Sequence, residues 1–274
     1  MIRALGLSLL LSFGAAAADV QPVKNAGPYV PSPQSVVADM LRYAEVGPGD
    51  FLIDLGSGDG RIVLTAAKVF GARGFGVEIK DDLVKQANQA AQAEGLADRV
   101  KFLKADLFKT DISQASVITM YLLPDTVNLL KDKFLAELKP GTRIVSHDYP
   151  LNGWLPEKTE QFDLSEKVHI SGVPTTIIYV YLVPARISGT WRASMPPAIS
   201  RDPITLDLRQ QITRISGTAR VNGKALEILE SKIRGERISF RLAGMKGEFT
   251  GLVKGNRIEG MLDGKTPWSA TLGG

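Results

Sequence analysis

A short segment that passes from apolar residues into three alternating glycines constrains the fold of this chain more than any other feature. Phe51–Leu55 is an apolar run typical of a buried strand, and Gly56, Gly58 and Gly60 follow it at every second position. A segment with apolar residues at helical spacing begins at Arg61. Glycines adopt positive φ angles and let a ligand lie directly on the main chain, so this strand, turn and helix predict a nucleotide-binding loop in an α/β fold.

The residues around the glycines indicate which nucleotide the loop binds. The spacing G-x-G-x-G differs from the G-x-G-x-x-G of dinucleotide-binding turns, and the loop lacks the Lys-Ser/Thr pair of a phosphate-binding loop. Carboxylates repel a pyrophosphate but suit a ligand that carries an amine and a sulfonium. We therefore predict S-adenosyl-L-methionine (AdoMet) as the cofactor, bound by Asp54, Gly56, Ser57, Gly58, Asp59 and Gly60.

Two further acids follow the next predicted strands. Glu78 ends the apolar run 74–78, and Asp106 follows the third strand predicted in the run 100–107. We predict that Glu78 accepts hydrogen bonds from both ribose hydroxyls. Asp106 looks like the residue of class I AdoMet-dependent methyltransferases that meets the adenine amino group, and Leu107 is a further predicted cofactor-binding residue. The alternative is that each acid is a helix cap or a loop residue. Acids at three successive strand ends resemble the cofactor site of class I AdoMet-dependent methyltransferases.

The chain as far as residue 184 contains the elements of a doubly wound sheet. Strands are predicted over 117–124 and 143–149, a helix over 125–138, and an antiparallel hairpin over 162–170 and 176–182. The resemblance implies a Rossmann-like sheet of seven strands. Ligands bind at the carboxyl ends of such strands, which would bring four residues around one crevice: Gly56, Glu78, Asp106 and Tyr121.

The sequence pattern changes at Pro184. Beyond it, short β-type runs recur between turn pairs that suit two-residue hairpins: Asn222-Gly223, Gly255-Asn256 and Asp263-Gly264. The predicted runs are 204–208, 212–221, 225–229, 233–242, 248–253, 257–262 and 268–272. We therefore predict a methyltransferase domain over 19–184 and a small antiparallel all-β domain over 185–274. Trp191 and Trp268, near its two ends, are either core residues or an aromatic contact surface.

The first 18 residues have the pattern of a secretory signal peptide. A positive start at Arg3 precedes a short apolar core and a run of alanines that ends at Ala18. We predict cleavage after Ala18 and a periplasmic location. We also predict no transmembrane span in the mature chain, because no other apolar stretch has the necessary length.

A proline-rich segment precedes the first predicted helix. Pro28, Pro31 and Pro33 surround Tyr29 and fix the backbone in an extended form. One interpretation is a stiff entry into the helix, and the other is a lid over the AdoMet pocket.

Composition bears on the other kinds of site. The chain has no cysteine, and its two histidines are too few to build a metal centre, so we predict no metal. The net charge is +4 and the basic residues are scattered along the chain. We therefore predict no nucleic-acid partner.

Methyl transfer from a sulfonium is an in-line displacement that depends mainly on alignment of the acceptor and exclusion of water. An amine acceptor must also lose a proton, which a nearby carboxylate or tyrosine can hold or accept. We predict Tyr29, Tyr121 and Asp148 as catalytic residues, with His147 as a further candidate. For each of them a purely structural role is the alternative.

Several motifs narrow the resemblance. They are Pro28-Tyr29-Val30-Pro31, residues 54–63, Asp106-Leu107-Phe108, Arg143-Ile144-Val145, Tyr149-Pro150 and Trp154-Leu155-Pro156. Together they resemble the mitochondrial lysine methyltransferases of the ATP synthase c subunit and the adenine nucleotide carrier, over about residues 28 to 160. The resemblance implies a protein-lysine acceptor. The export signal and the β domain depart from that family, and residues 121–124 lack the Asn/Asp-Pro-Pro-Tyr/Phe signature of amide and adenine N-methyltransferases.

Two functional hypotheses follow. The first is an AdoMet-dependent methyltransferase whose acceptor is a protein lysine or, as the alternative, a small molecule. The second is an exported AdoMet- or nucleoside-binding protein without turnover, which would use its β domain for contact with a protein or the cell envelope.

Overall fold

The computed structural model describes residues 29–195, 200 and 202–273, so the predicted signal peptide lies outside the described residues. A seven-stranded sheet has the order β3-β2-β1-β4-β5-β7-β6. Its strands are β1 (Phe51–Leu55), β2 (Arg73–Glu78), β3 (Val100–Lys104), β4 (Val117–Met120), β5 (Arg143–His147), β6 (Lys158–Asp163) and β7 (Thr175–Leu182). Strands β1 to β5 pair in parallel, and β7 runs antiparallel to both of its neighbours. The predicted Rossmann-like methyltransferase sheet is confirmed.

Helices cover both faces of this sheet because successive strand residues point to opposite sides. Leu52 packs in one apolar cluster with Val37, whereas Ile53 packs in another with Phe134. The helices are α1 (Gln34–Tyr43), α2 (Arg61–Phe70), α3 (Asp81–Ala93), α4 (Pro124–Leu129), α5 (Lys131–Glu137) and α6 (Ser165–Ser171). Among the described residues, no helix has the length and apolar character needed to cross a membrane.

Two predicted elements of this domain are wrong. The helix predicted over 125–138 is in fact two helices, α4 and α5, which meet at the fully buried Leu130. The first strand of the hairpin predicted over 162–170 ends at Asp163, and helix α6 follows it. Gly172 ends α6 in the left-handed conformation, with φ 81°. The antiparallel partnership of this strand with β7 is as predicted.

The remaining strands close into an antiparallel barrel in the order β10-β11-β12-β13-β14-β15-β8-β9. They are β8 (Gly189–Ser194), β9 (Ile204–Gln211), β10 (Arg214–Val221), β11 (Lys224–Arg234), β12 (Arg237–Leu242), β13 (Phe249–Lys254), β14 (Arg257–Leu262) and β15 (Thr266–Leu272). Trp191 and Trp268 are 0% and 4% exposed and belong to the barrel core. They are therefore core residues and not a contact surface.

The sequence pattern located most of the barrel strands. Two-residue turns occur as predicted at Asn222-Gly223 and Gly255-Asn256, whereas the turn at Asp263-Gly264 includes a third residue, Lys265. Strand β8 was not predicted. The run predicted as one strand over 233–242 is wrong, because a turn at Gly235-Glu236 separates β11 from β12.

The barrel contacts the sheet at the edge where β5 begins and β7 ends. The Ala185 amide donates to the carbonyl of Gly235 at 2.7 Å, and the Arg186 guanidinium donates to the carbonyl of Leu135 at 2.6 Å. Arg234 also forms an ion pair with Glu157, the residue before β6. Since the glycine loop follows the carboxyl end of β1, the barrel lies at the opposite edge of the sheet from that loop.

Candidate active site

The glycine loop has the backbone conformation that its sequence predicts. Gly56, Gly58 and Gly60 have φ angles of 79°, 53° and 85°, which non-glycine residues rarely adopt. A side chain at position 58 would also collide with the ring of Tyr29, since an added Cβ would lie 2.4 Å from its Cε2. Glycine is therefore required at position 58 by both backbone conformation and contact.

Asp54 is the most deeply buried acid in the candidate site, with 1% of its surface exposed. The Thr119 hydroxyl donates to its Oδ1 at 2.7 Å. Burial raises the pKa of Asp54 to about 7, and the carboxylates of Asp59 and Glu78 act in the same direction. Such a buried carboxyl would gain from a cationic ligand, which would stabilise its charged form.

Glu78 lies at the tip of β2, in contact with the glycine loop. Its carboxylate accepts hydrogen bonds from the Gly58 amide at 3.1 Å and from the Ile79 amide at 2.8 Å. Asp106 is close by, because the Ala105 amide donates to the Glu78 carbonyl at 3.1 Å. The side chain of Leu107 packs in the core. The structure thus brings together the acids predicted at successive strand ends.

Two other predicted cofactor residues, Asp59 and Ser57, differ in whether their side chains have partners within the protein. The Asp59 carboxylate accepts from the Arg61 guanidinium, at 3.0 Å to Nε and 2.6 Å to the terminal nitrogen Nη2. Ser57 is buried, and its Oγ has no hydrogen-bond partner among the described residues. The Gly56 and Ser57 amides both donate to the carbonyl of Val77 at 2.9 Å, which ties the loop to β2.

The candidate catalytic residues Tyr121 and His147 lie beside the glycine loop. In the sheet register Leu55 faces Met120, which faces Ser146, so the residues that follow, Tyr121 and His147, lie next to the glycine loop. The rings of Tyr121 and His147 stack with centroids 4.0 Å apart. Burial and the adjacent Asp148 raise the pKa of Tyr121, so its phenol stays neutral.

A buried ion pair supports Tyr121 and His147, and no pattern in the sequence predicted it. Lys167 on α6 is only 2% exposed, and its Nζ lies 2.7 Å and 2.6 Å from the two carboxylate oxygens of Asp148. Asp148 has a left-handed backbone, with φ 64°, and also accepts from the Ile177 amide at 3.1 Å. A lysine in a segment predicted as a strand is not expected to be buried. The ion pair is therefore evident only from the tertiary structure.

The proline-rich segment crosses the ends of the strands. Tyr29 lies over Gly58, and its hydroxyl interacts with Asp59. The Arg61 guanidinium donates to the carbonyl of Ser32 at 2.8 Å, and Ser32 Oγ hydrogen-bonds His147 Nδ1 at 2.9 Å. The segment therefore connects the glycine loop with the candidate catalytic residues. This favours the interpretation of the segment as a lid over that of a simple entry into α1.

His147 is fully buried. Burial lowers the pKa of its imidazole to about 4, although the Asp148 carboxylate beside it acts to raise that pKa. The unfolded chain, with a pKa near 6.5, binds its proton first as pH falls. The folded protein, in which the imidazole stays neutral, therefore loses stability as pH falls below the unfolded pKa. We expect the free energy of unfolding to fall by about 2 kcal/mol from this cause between pH 7.5 and 4.5. Urea unfolding of wild type and His147→Gln at both pH values measures this loss, because the difference in free energy of unfolding between the two proteins should be smaller at pH 4.5.

The comparison with His147→Gln removes the effect of every other group, including Asp54, whose raised pKa has the opposite dependence on pH. His169→Gln is the matched control, because His169 is exposed and is the only other histidine. A stability difference between wild type and His147→Gln that stays constant across this pH range would contradict the burial of a neutral imidazole.

The donors and acceptors of the loop fit AdoMet. Gly56 and Gly58 have positive φ angles, and the carboxylates of Asp54 and Glu78 suit the cationic groups and the ribose hydroxyls of AdoMet. The Arg61 guanidinium beside the loop is neutralised by Asp59. No group of three or more metal-ligating side chains occurs in the described ranges.

Comparisons with known proteins agree with this geometry. Residues 54–158 match the sequence model of the family described as the ANTKMT methyltransferase domain. The chain is 43% identical over 147 residues to a protein-lysine N-methyltransferase of Saccharolobus islandicus, covering 52% of this chain and 91% of that protein. It is 36% identical over 135 residues to the adenine nucleotide translocase lysine N-methyltransferase of Mus musculus, covering 49% of this chain but only 58% of that enzyme.

A solved structure is similar over the same share of the chain. The RNA methyltransferase from Salinibacter ruber, in complex with S-adenosyl-L-homocysteine, is 44% identical and has a TM-score of 0.52. The match covers 58% of this chain and 96% of that one. The family match ends at residue 158, before the barrel begins.

Proposed function

The chain belongs to the family of class I AdoMet-dependent methyltransferases that includes the protein-lysine N-methyltransferases, and from this premise we propose that it methylates the side-chain amine of a lysine in a protein. AdoMet is its cofactor. The names of the Saccharolobus islandicus and Mus musculus relatives support a lysine acceptor. The Salinibacter ruber relative is described as an RNA methyltransferase, so RNA is the competing acceptor that an experiment must exclude.

The observation that carries the proposal is a set of polar groups without net charge beside the cofactor loop. Tyr121 is a neutral phenol, His147 is a neutral imidazole, and Asp148 is neutralised by Lys167. A lysine attacks as the neutral amine, and a strongly anionic site would instead stabilise its ammonium form. Neutral oxygen and nitrogen acceptors are therefore suited to an amine that has already lost its proton.

The roles of the residues follow from their contacts. AdoMet, when bound, supplies an electrophilic methyl group on its sulfonium. The Tyr121 hydroxyl lies near the Asp148 carboxylate, which would orient the phenol and leave an oxygen lone pair to accept from the incoming amine. Tyr29 covers the glycine loop and excludes water from it. The proton of the acceptor leaves to solvent before the amine enters, or passes through Tyr121 to Asp148.

The test is transfer of a labelled methyl group to a whole-cell extract, with its RNA and small molecules retained, from cells that lack the gene. We expect label in protein, recovered as methyl-lysine after hydrolysis, with wild-type enzyme. Tyr121→Phe keeps the ring stack on His147 but removes the hydroxyl, and we expect it to reduce turnover roughly 100-fold with little change in AdoMet affinity. Label that ribonuclease releases, or that appears in small molecules, would overturn the lysine assignment.

Glu78→Gln isolates the contribution of one carboxylate to cofactor binding. The amide keeps the size of the side chain but loses the charge that strengthens hydrogen bonds from hydroxyl donors. We expect AdoMet affinity to fall about tenfold, as measured by calorimetry. Glu94→Gln is a suitable control, because Glu94 at the end of α3 pairs with the exposed Lys68. Unchanged affinity of Glu78→Gln would refute its placement on the ribose.

We further propose that methylation takes place outside the cytoplasm. Residues 1–18 support this proposal by their sequence pattern alone. Fractionation of cells that carry a tagged full-length chain tests it, and the proposal predicts a periplasmic protein shortened by 18 residues. A protein retained in the cytoplasm at full length would contradict it.

A further inference from the structure

The barrel accounts for the net positive charge of the chain. Residues 185–274 contain 15 lysines and arginines against 8 acids, a formal charge of +7, whereas the whole chain has +4. Residues 1–184 therefore sum to −3. The scattered charge of the sequence is thus segregated once the two domains are separated.

Many of these cations have no acidic partner. Within the barrel, Arg241 pairs with Glu230 at 3.1 Å and Arg257 pairs with Glu259 at 3.0 Å. Arg192, Arg220 and Lys254 are exposed and form no ion pair with any described residue. Uncompensated charge of one sign attracts an oppositely charged partner.

The strand register places these three cations, together with the paired Arg257, in one row around the outside of the barrel. Arg220 faces Thr205, which faces Arg192, which faces Thr271. The row continues from Thr271 to Arg257 and from Arg257 to Lys254. We call the four cations of this row, Arg220, Arg192, Arg257 and Lys254, the basic row. Directly opposed residues are about 5 Å apart, so a threonine separates successive arginines by about 10 Å.

The shape of the barrel limits what can contact the whole row. The row crosses six of the eight strands of a closed barrel and so curves around more than half of its circumference. A flat bilayer surface would meet only part of it. The closed barrel also offers no free strand edge for pairing. A flexible anionic chain is the partner that can follow the curve.

The position of the aromatic residues separates the two kinds of flexible anionic chain. Proteins that bind single-stranded nucleic acid combine cations with exposed aromatic rings that stack on bases. In the described part of the barrel the aromatic side chains, Trp191, Trp268, Phe240 and Phe249, are all buried. We propose that the basic row binds an acidic, flexible segment of a polypeptide.

This surface would act as a tether remote from the chemistry. The barrel joins the sheet through Gly235 and Arg186, at the edge opposite the glycine loop. A segment bound to the basic row therefore increases the local concentration of a partner protein without entering the candidate active site. The inference does not require that the partner is the methyl acceptor.

The test is fluorescence anisotropy of the full chain with a labelled poly-glutamate peptide. We expect salt-sensitive binding that Arg192→Glu/Arg220→Glu weakens at least about tenfold, because two of the four cations of the row are reversed. Lys246→Glu/Lys265→Glu is the matched control. It makes the same change in net charge, but in the turns before β13 and after β14, at the strand ends away from Lys254 and Arg257. We expect it to weaken peptide binding less than about threefold.

Oligouridylate and vesicles that contain anionic lipid serve as the competing probes. If either binds more tightly than the peptide, and the Arg192→Glu/Arg220→Glu variant loses that binding, the assignment to a polypeptide is wrong. Equal weakening by the two double variants would show an unspecific response to net charge and would also overturn it. The circular dichroism and thermal midpoints of the variants, whose changes are all at exposed positions, verify folding.

Discussion

Replacement of Lys167 by methionine should destabilise the sheet domain by about 3 kcal/mol, although it changes one lysine among 33 basic residues. The Nζ of Lys167 contacts both carboxylate oxygens of Asp148, in a setting where the lysine side chain is 2% exposed and the aspartate 15%. Methionine fills a similar volume but leaves the Asp148 charge without its cation. Urea unfolding followed by helical circular dichroism reports this domain, because the described helices all lie in it.

A double-mutant cycle uses Asp148→Asn as the second substitution. Asparagine removes the uncompensated charge and tolerates the left-handed backbone at this position. We expect the double variant Lys167→Met/Asp148→Asn to recover most of the lost stability. Lys85→Met is the control, because its ion pair with Asp81 is exposed and should contribute little to the free energy of unfolding. If Lys167→Met were as mild as Lys85→Met, the buried pair would not stabilise the fold.

The contrast between these two lysines shows which contacts could not be predicted from the sequence. The glycine loop and the positions of its acids could be predicted, because strand, turn and carboxylate lie within a few residues of each other. The contact of Lys167 with Asp148 joins different elements, and His147 contacts Ser32, which is 115 residues away along the chain. Such pairs are set by the packing of α6 and the lid, for which no periodic pattern exists.

The errors in secondary structure have the same origin. The segment that forms α6 contains Val168 and Ile170, whose β-branched side chains favour a strand by propensity. The fold instead makes a short helix there, which Gly172 ends and which carries Lys167 to Asp148. The break between α4 and α5 likewise depends on tertiary contacts, because the Asn128 side chain accepts from the Asn152 amide at 2.8 Å.

Replacement of Asp54 by asparagine should stabilise the protein while weakening its cofactor binding. Burial raises the pKa of Asp54 from 3.8 to about 7, so the unfolded chain loses this proton first as pH rises. Ionisation therefore costs stability progressively from pH 4 to 7 and by a constant amount above that range. We expect the advantage of Asp54→Asn in urea unfolding to grow by about 2–3 kcal/mol between pH 5 and pH 8.

Asp106→Asn is the control for stability, because Asp106, two residues after β3, is only partly buried and accepts from the Phe108 amide. We expect this variant to gain less stability than Asp54→Asn, since its carboxyl is less desolvated. A stability gain of Asp54→Asn that is the same at pH 5 and pH 8 would mean that the buried carboxyl is ionised over the whole range, against the effect of its burial.

The same substitution tests whether the buried carboxyl serves the cofactor. If Asp54 meets a cationic ligand, AdoMet binding at pH 6 should release about one proton from wild type, since the carboxyl is mostly protonated in the free protein and charged in the complex. Calorimetry in buffers of different ionisation enthalpy measures that proton. Asp54→Asn should release none and bind about 10- to 100-fold more weakly. Equal proton release from both proteins would place the titrating group elsewhere, and an acid that destabilises the fold at neutral pH would then have no function to explain it.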